Sequence, residues 1–300
     1  VTEVGSRIRD VLRSAGVRGW VHARALVAGD GAEQVAVDPD VQLPMASLYK
    51  ILLAVAWARE VDAGRMPADH RVTVPAGDRT PGPTGLSALH DPVELSVRDL
   101  VVLSLTMSDN AASDVLLDLV GLDAVRRVAA DAAMTRTTVH GGSRHHQRLL
   151  LEETGVAGFP EAVRLLRERP GHDPVAVYDP AMSSVTTARD LTSLLAALWV
   201  DRLASPGLSR FVRDTMARQA FRHRMGSGFP HDDVTVASKT GTLLSLRHEA
   251  GVVTFPGEEP VAVAVLTHAA RPAQLLPAAD LALGEAAALA VHALRRPRGR

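Results

Sequence analysis

The stretch VTVASKT (234–240), followed by EAGVVTF (249–255) and PVAVAVLT (260–267), decides the fold. Three short runs rich in β-branched residues, broken by turn-forming segments, read as a strand meander. Beyond it, Ala278 to Leu294 reads as an Ala-rich closing helix. At the other end of the chain, Gly19 to Val27 reads as a strand, Ala28 to Gly31 as a turn and Glu33 to Asp38 as the hairpin partner. A lone hairpin is marginal in water, so this first pair is expected to join the late strands in one sheet. Val1 to Gly16 precedes it as an amphipathic helix with Val4, Ile8, Val11 and Leu12 on one face.

The middle of the chain is helical. Ser47 opens a helix carrying Ile51, Leu52, Val55, Ala58 and Val61, apolar enough to be a buried central one. Met66 to Leu95 is a loop-rich excursion with five prolines and three glycines. Ser96 caps a helix through Met107, a second begins at Ala111 and stops at Gly121, and Leu122 to Ala133 forms a third. Ser143 to Pro174 reads as a helical insertion, Thr187 caps a helix to about Trp199, and Ser209 is expected to cap one reaching Gln219. The expected fold class is α+β/α: an antiparallel sheet flanked by terminal helices, with an all-helical subdomain. Residues 1–46 and 222–300 would form the sheet subdomain and 47–221 the helical insert, within one structural domain.

Composition excludes several classes. The 300 residues are 46% hydrophobic and 22% charged, which rules out wholesale disorder. A net charge of −1 argues against a nucleic-acid footprint or a polybasic membrane patch. No run approaches the roughly 20 apolar residues of a membrane span, and with no cysteine there is no thiol chemistry. No signal peptide is visible, so the expectation is a soluble, monomeric, cytoplasmic protein, or an exported one if its N-terminus has been processed. His145 and His146 lack Cys, Asp or Glu at ligand spacing; no metal and no cofactor is expected.

The 33 basic residues include only two lysines, Lys50 and Lys239, and the only asparagine is Asn110. Lysine is ordinarily among the commonest residues. Coding drift that replaces Lys by Arg wherever a solvated charge suffices would leave Lys where a removable proton or a compact cation is needed. Lys50 ends Ser47-Leu48-Tyr49-Lys50, which puts Ser and Lys one helical turn apart on one face. A desolvated lysine there could remove the serine proton. Asn110 ends Ser108-Asp109-Asn110 between two helices. Its amide can bond both a lysine and a substrate amide, while Ser108 can pass a proton. Lys239 opens Lys239-Thr240-Gly241 at a strand end, where Lys and Thr can donate to a carboxylate and Gly lets a backbone approach. Each motif alone reads better as a cap or an edge lysine.

Together they are Ser-x-x-Lys, Ser-Asp-Asn and Lys-Thr-Gly in order, 61 and 131 residues apart counted from Ser47 to Ser108 and from Ser108 to Lys239. That set belongs to penicillin-binding proteins and class A β-lactamases, and the chain resembles a class A β-lactamase-like serine hydrolase of this penicillin-recognising superfamily. The likeness extends to Asp99-Leu100 with the helix into Ser108–Asp114, to Thr186–Leu191, and to Lys239–Thr242 with Arg247. The resemblance implies Ser47 as the acylated nucleophile, Lys50 as base, Ser108 as proton donor to the leaving nitrogen and Asn110 as support for Lys50 and the substrate amide. Lys239 and Thr240 would hold a substrate carboxylate with Gly241 and Thr242 on the same strand, helped by Arg247. Backbone N–H groups of Ser47 and Thr242 would form an oxyanion hole, worth ~3 kcal/mol per donor.

One family element is missing. Class A enzymes use a Glu in an E-x-x-L-N stretch to activate the deacylating water, and with its only asparagine at 110 the chain cannot contain it. The corresponding SRHHQR (143–148) has no acid; Glu152, Glu153 and Glu161 fall in helices as solvated charges, while His145 or His146 could act as a base near neutral pH. The expected function is a β-lactamase-related hydrolase working through a Ser47 acyl-enzyme on small β-lactam or related substrates, with slow or atypical deacylation. A D,D-peptidase, esterase or amidase on the same scaffold, and a penicillin-binding acyl trap or sensor, stay open as alternatives.

Overall fold

The computed structural model describes residues 3–26, 33–168, 175–270 and 272–296. The predicted turn at 28–31 and the end of the 143–174 insertion lie outside them. The chain opens with α1 (Glu3–Ser14), β1 (Val17–Ala25), β2 (Gln34–Val37) and the short β3 (Leu43–Pro44). A 3₁₀ turn at Ala46–Leu48 leads into α2 (Tyr49–Asp62). Then come β4 (Arg71–Val74), β5 (Val93–Ser96), α3 (Val97–Thr106), α4 (Asn110–Val120) and α5 (Leu122–Asp131). The insertion supplies α6 (Ser143–Thr154), α7 (Phe159–Glu168) and α8 (Val175–Tyr178), before β6 (Val185–Thr186), α9 (Ala188–Trp199) and α10 (Pro206–Ala217). The chain ends in β7 (Thr235–Leu243), β8 (Leu246–Thr254), β9 (Val261–Ala269) and α11 (Pro277–His292).

The main sheet has the order β2-β1-β9-β8-β7, antiparallel throughout. β1 pairs with β9 from Val17 opposite Ala269 to Ala25 opposite Val261, so the two ends of the chain are joined as the marginal hairpin requires. β9 shows why these residues make this sheet. Its Val261, Val263 and Val265 pack in the core with α1 and α11, while Ala262, Ala264 and Leu266 pack in the core of the helical layer. Both faces are covered, so the strand alternates valine with small residues rather than apolar with polar. The helical layer centres on α2, whose first ten residues, Tyr49 to Ala58, are all buried. α9 lies against β1 and β9 on the helical side of the sheet. Among the described residues no helix is long and apolar enough to cross a membrane.

Three boundaries differ from expectation. β7 and β8 run on to Leu243 and Leu246, so the segment between the predicted strands is a tight hairpin tip, with Leu244 at φ +49° as such tips require. The loop-rich excursion and Ser96 after it hold a small ladder, β4 with β5, too short to stand out between prolines. Ser209 is no cap: the helix starts at Pro206, whose missing N–H costs nothing in the first turn, and the buried Ser209 hydroxyl donates to the Ala204 carbonyl.

Candidate active site

A cleft of about 400 Å³ runs between the helical layer and β7. Ser47, Ser108 and Asn110 line it from the helical side, and Thr240, Thr242, Arg224 and Arg247 from the sheet side. The approach to Ser47 is held tightly. β3 pairs with β6, the Met45 N–H donates to the Ser184 carbonyl at 2.7 Å, and the buried His248 accepts from the Thr267 N–H and so donates through Nε2 to the Pro44 carbonyl. Ala46 takes φ +48° and Ser108 φ +57°. Non-glycine residues in that region cost about 1–3 kcal/mol and persist only where the surroundings impose them.

Lys50 lies one turn after Ser47 with no exposed surface. Its Nζ donates to the Ser108 carbonyl (2.6 Å), Asn110 Oδ1 (3.0 Å), the Asp109 carbonyl (3.3 Å) and Ser108 Oγ (3.4 Å). Burial pushes the ammonium down to about 7, against the pull of the Asp114 and Asp109 carboxylates. An amine poised there can take a proton from a neighbouring hydroxyl at neutral pH.

The loop bearing Ser108 and Asn110 is fixed by buried carboxylates. Asp109 accepts from the Leu86 N–H, Ser87 Oγ and the Ala112 N–H, capping α4 and pinning the loop that carries Gly82 and Thr84 along the cleft rim. Asp114 accepts from Thr80 Oγ1 and from the Ser143 and Arg144 N–H groups at the start of α6. Asn110 Oδ1 also accepts from Ser143 Oγ, and Asn110 Nδ2 donates to the Pro81 carbonyl.

On the sheet side the placement departs from expectation. Lys239 is fully buried, turns its Nζ back to the Thr240 carbonyl at 2.8 Å, and is not in the cleft wall. Burial, with the Lys50 charge, holds its ammonium well below the usual range. Gly241 serves an approach other than the expected one: a Cβ there would stand 3.2 Å from Leu48 Cγ and 3.4 Å from Ala46 Cβ, so its bare Cα lets β7 pass the turn that carries Ser47. Arg247 pairs with Thr242 across the strands, but its guanidinium donates to the Leu244, Leu246, Ala273 and Gln274 carbonyls. It fastens the hairpin tip, with its charge at the cleft edge.

Three residues went unread in the sequence. Arg224 donates to Asp280, to the Gly241 and His248 carbonyls and to Thr242 Oγ1 (2.9 Å), placing its guanidinium in the cleft wall with those of Arg167 and Arg247. Nothing marks it among the arginines of the chain. Gln219 accepts from both the N–H and the hydroxyl of Thr240, and donates to Ser238 and Glu249. Glu249, opposite Thr240 in the register, is buried and held above the usual carboxylate range by desolvation. Met107, Leu150, Phe159, Val163, Phe221 and Leu243 give the wall an apolar stretch, and Arg167, His223 and Gln274 also line it. Glu152 and Glu161 pair with Arg148 and Arg164, and Glu153 accepts from the Ala176 N–H; none of them is in the cleft wall.

The fold and this site define a β-lactamase-like serine hydrolase. Residues 3–294 match the model of the beta-lactamase enzyme family, and the chain belongs to that family. It is 35% identical over 299 residues to the beta-lactamase regulatory protein BlaB of Streptomyces cacaoi, covering 93% of this chain and 94% of that one. It is 27% identical to a beta-lactamase of Streptomyces albus G over 89% of this chain and 77% of the relative. Among solved structures it resembles the beta-lactamase of Sphaerobacter thermophilus, with a TM-score of 0.78, 27% identity and 97% and 96% of the two chains covered.

Proposed function

We propose that the protein is a serine hydrolase that acylates Ser47 with β-lactams or related amides and esters bearing a carboxylate. The observation that carries this reading is Lys50, stripped of solvent one turn from Ser47 and bonded to both Ser108 and Asn110. Lys50 takes the Ser47 proton as Oγ attacks the carbonyl, and Ser108 passes a proton to the leaving nitrogen. Arg224 offers the carboxylate its counter-charge and Thr242 a hydroxyl beside it, and the apolar stretch of the wall takes the rest of the acyl group. Incubation with a penicillin followed by intact-mass measurement tests it: a covalent adduct on Ser47, absent in Ser47→Ala, is expected. A wild-type chain that gains no mass and hydrolyses nothing would sink the reading.

A second reading is a sensor or acyl trap. The likeness to a regulatory protein favours it, as does the lack of a carboxylate from Glu152, Glu153 or Glu161 at the cleft. The time course of the adduct separates the two, since a trap keeps its acyl group for hours. Running a simple ester and a D-Ala-D-Ala peptide beside the penicillin tests the peptidase and esterase alternatives.

A further inference from the structure

Beside the main cleft, and sharing Ser47, Asn110 and Thr242 with it, is a smaller cavity of about 80 Å³. That exceeds the roughly 10–15 Å³ needed to hold a water. Its far wall is one face of α6: Ser143, His146, Gln147 and Leu150 recur at the three-and-four spacing that puts them side by side. That face is rigidly set. Ser143 Oγ bonds Asn110 Oδ1 and the Tyr49 hydroxyl, Asp114 accepts from the first two N–H groups of α6, and Gln147 Nε2 donates to the Pro81 carbonyl.

His146 is 6% exposed, and its Nε2 is buried without a hydrogen-bond partner among the described residues. The Gly142 backbone is the polar group that favours the charged ring; with the ring proton on Nδ1, Nε2 carries the free lone pair. A buried polar atom left without a partner is costly and calls for an occupant that can donate to it. Burial also holds the imidazole well down, at about 4, so it is neutral at physiological pH but a weaker base than the near-neutral one expected from the sequence. Of the other candidate bases, Lys50 is not among the residues lining this cavity, and Asp114 already accepts from three donors.

We propose that this cavity holds the water that hydrolyses the Ser47 acyl-enzyme, and that His146 Nε2 takes that water's proton. The inference rests on the reading of Ser47 as the acylated residue. As the water oxygen bonds to the ester carbonyl carbon, its proton passes to Nε2 and the carbonyl becomes an oxyanion. On collapse the carbon–Oγ bond breaks and the proton returns from His146 to Ser47 Oγ. The products are free Ser47 and a carboxylic acid, with no oxidant, reductant or metal consumed.

The test follows the Ser47 adduct by intact mass in the full chain after a pulse of penicillin, for the wild type, His146→Phe and His146→Gln. Both variants should acylate at close to the wild-type rate, which also shows that they are folded, and should clear the adduct about 100-fold or more slowly, as expected for loss of a general base. Wild-type clearance should be slower in D₂O than in H₂O, a readout that needs no variant. Clearance at the wild-type rate in His146→Phe, or the same wild-type rate in both solvents, overturns the inference. A wild-type adduct that never clears overturns it while leaving Ser47 as the acylated residue. No adduct at all overturns both.

Discussion

Lys50 sits in a helix whose neighbouring residues are all apolar and buried, an environment that disfavours its charged form. That cost is the source of its reactivity. Held at about 7, Lys50 gains its free base as pH rises through neutrality. The rate of Ser47 acylation should therefore climb roughly tenfold per pH unit below that value and level off above it; a stopped mass-spectrometric time course across the pH range reads it. Lys50→Arg keeps the charge but cannot give up its proton, so acylation should fall by about 10²–10⁴ at every pH. Arg224 can be tested by selectivity. Removing a hydrogen bond to a charged group costs ~1.5–3 kcal/mol, so in Arg224→Gln the preference for a penicillin over its methyl ester should shrink roughly 10- to 100-fold. An unchanged ratio would assign Arg224 to structure alone, through its buried bond to Asp280. Rarity made Lys50, Asn110 and Lys239 legible in the sequence. Arg224, Gln219 and Glu249 were not, because what marks them is burial and mutual bonding across strands, and neither leaves a local pattern.

Elements were readable where caps and periodicity agreed. Ser96 and Thr187 cap α3 and α9 by accepting from the Asp99 and Asp190 N–H groups, as their position before an apolar run predicts. The misread elements are the hairpin tip at Leu244, the β4–β5 ladder and the start of α10 at Pro206, none of which has a distinct local pattern. In α11, Gly284 packs its bare Cα on the Arg224 carbonyl, Ser227 Oγ and the Gly228 backbone, and Gly228 packs in return on the Gly284 carbonyl. Gly284→Ala would thrust a methyl into backbone that has no rotamer by which to yield. It should cost about 1–3 kcal/mol of stability. Since the displaced segment carries Arg224, the same variant should weaken the preference for carboxylate-bearing substrates, whereas a purely global effect would lower the melting temperature and leave that ratio untouched.

At the scale of the molecule, the two layers divide the chemistry. The helical layer holds Ser47, Lys50, Ser108 and Asn110, while β7 and the segment before it hold Thr240, Thr242 and Arg224. The sheet between the helical layer and the terminal helices makes stability and site geometry separable. On β9, Val263 faces the core of α1 and α11, and its neighbours Ala262 and Ala264 face the core that contains α2. Val263→Ala removes buried methyls on the side away from the cleft and should cost about 1–3 kcal/mol, lowering the melting temperature by roughly 2–4 °C per kcal/mol. The acylation rate of the folded protein should change little, because Val263 packs in the core with α1 and α11 and not in the one that contains α2, which carries Lys50. Ala264→Val adds two carbons to the opposite face, where the small residue lets the helical layer approach. It should cost a similar amount through overpacking, and it should also slow acylation, because the layer it displaces carries Lys50. Parallel melts and acylation time courses on the two variants decide the matter. Equal effects on the rate would mean that the sheet positions both faces as one body, and that the site depends on the whole core rather than on the helical layer.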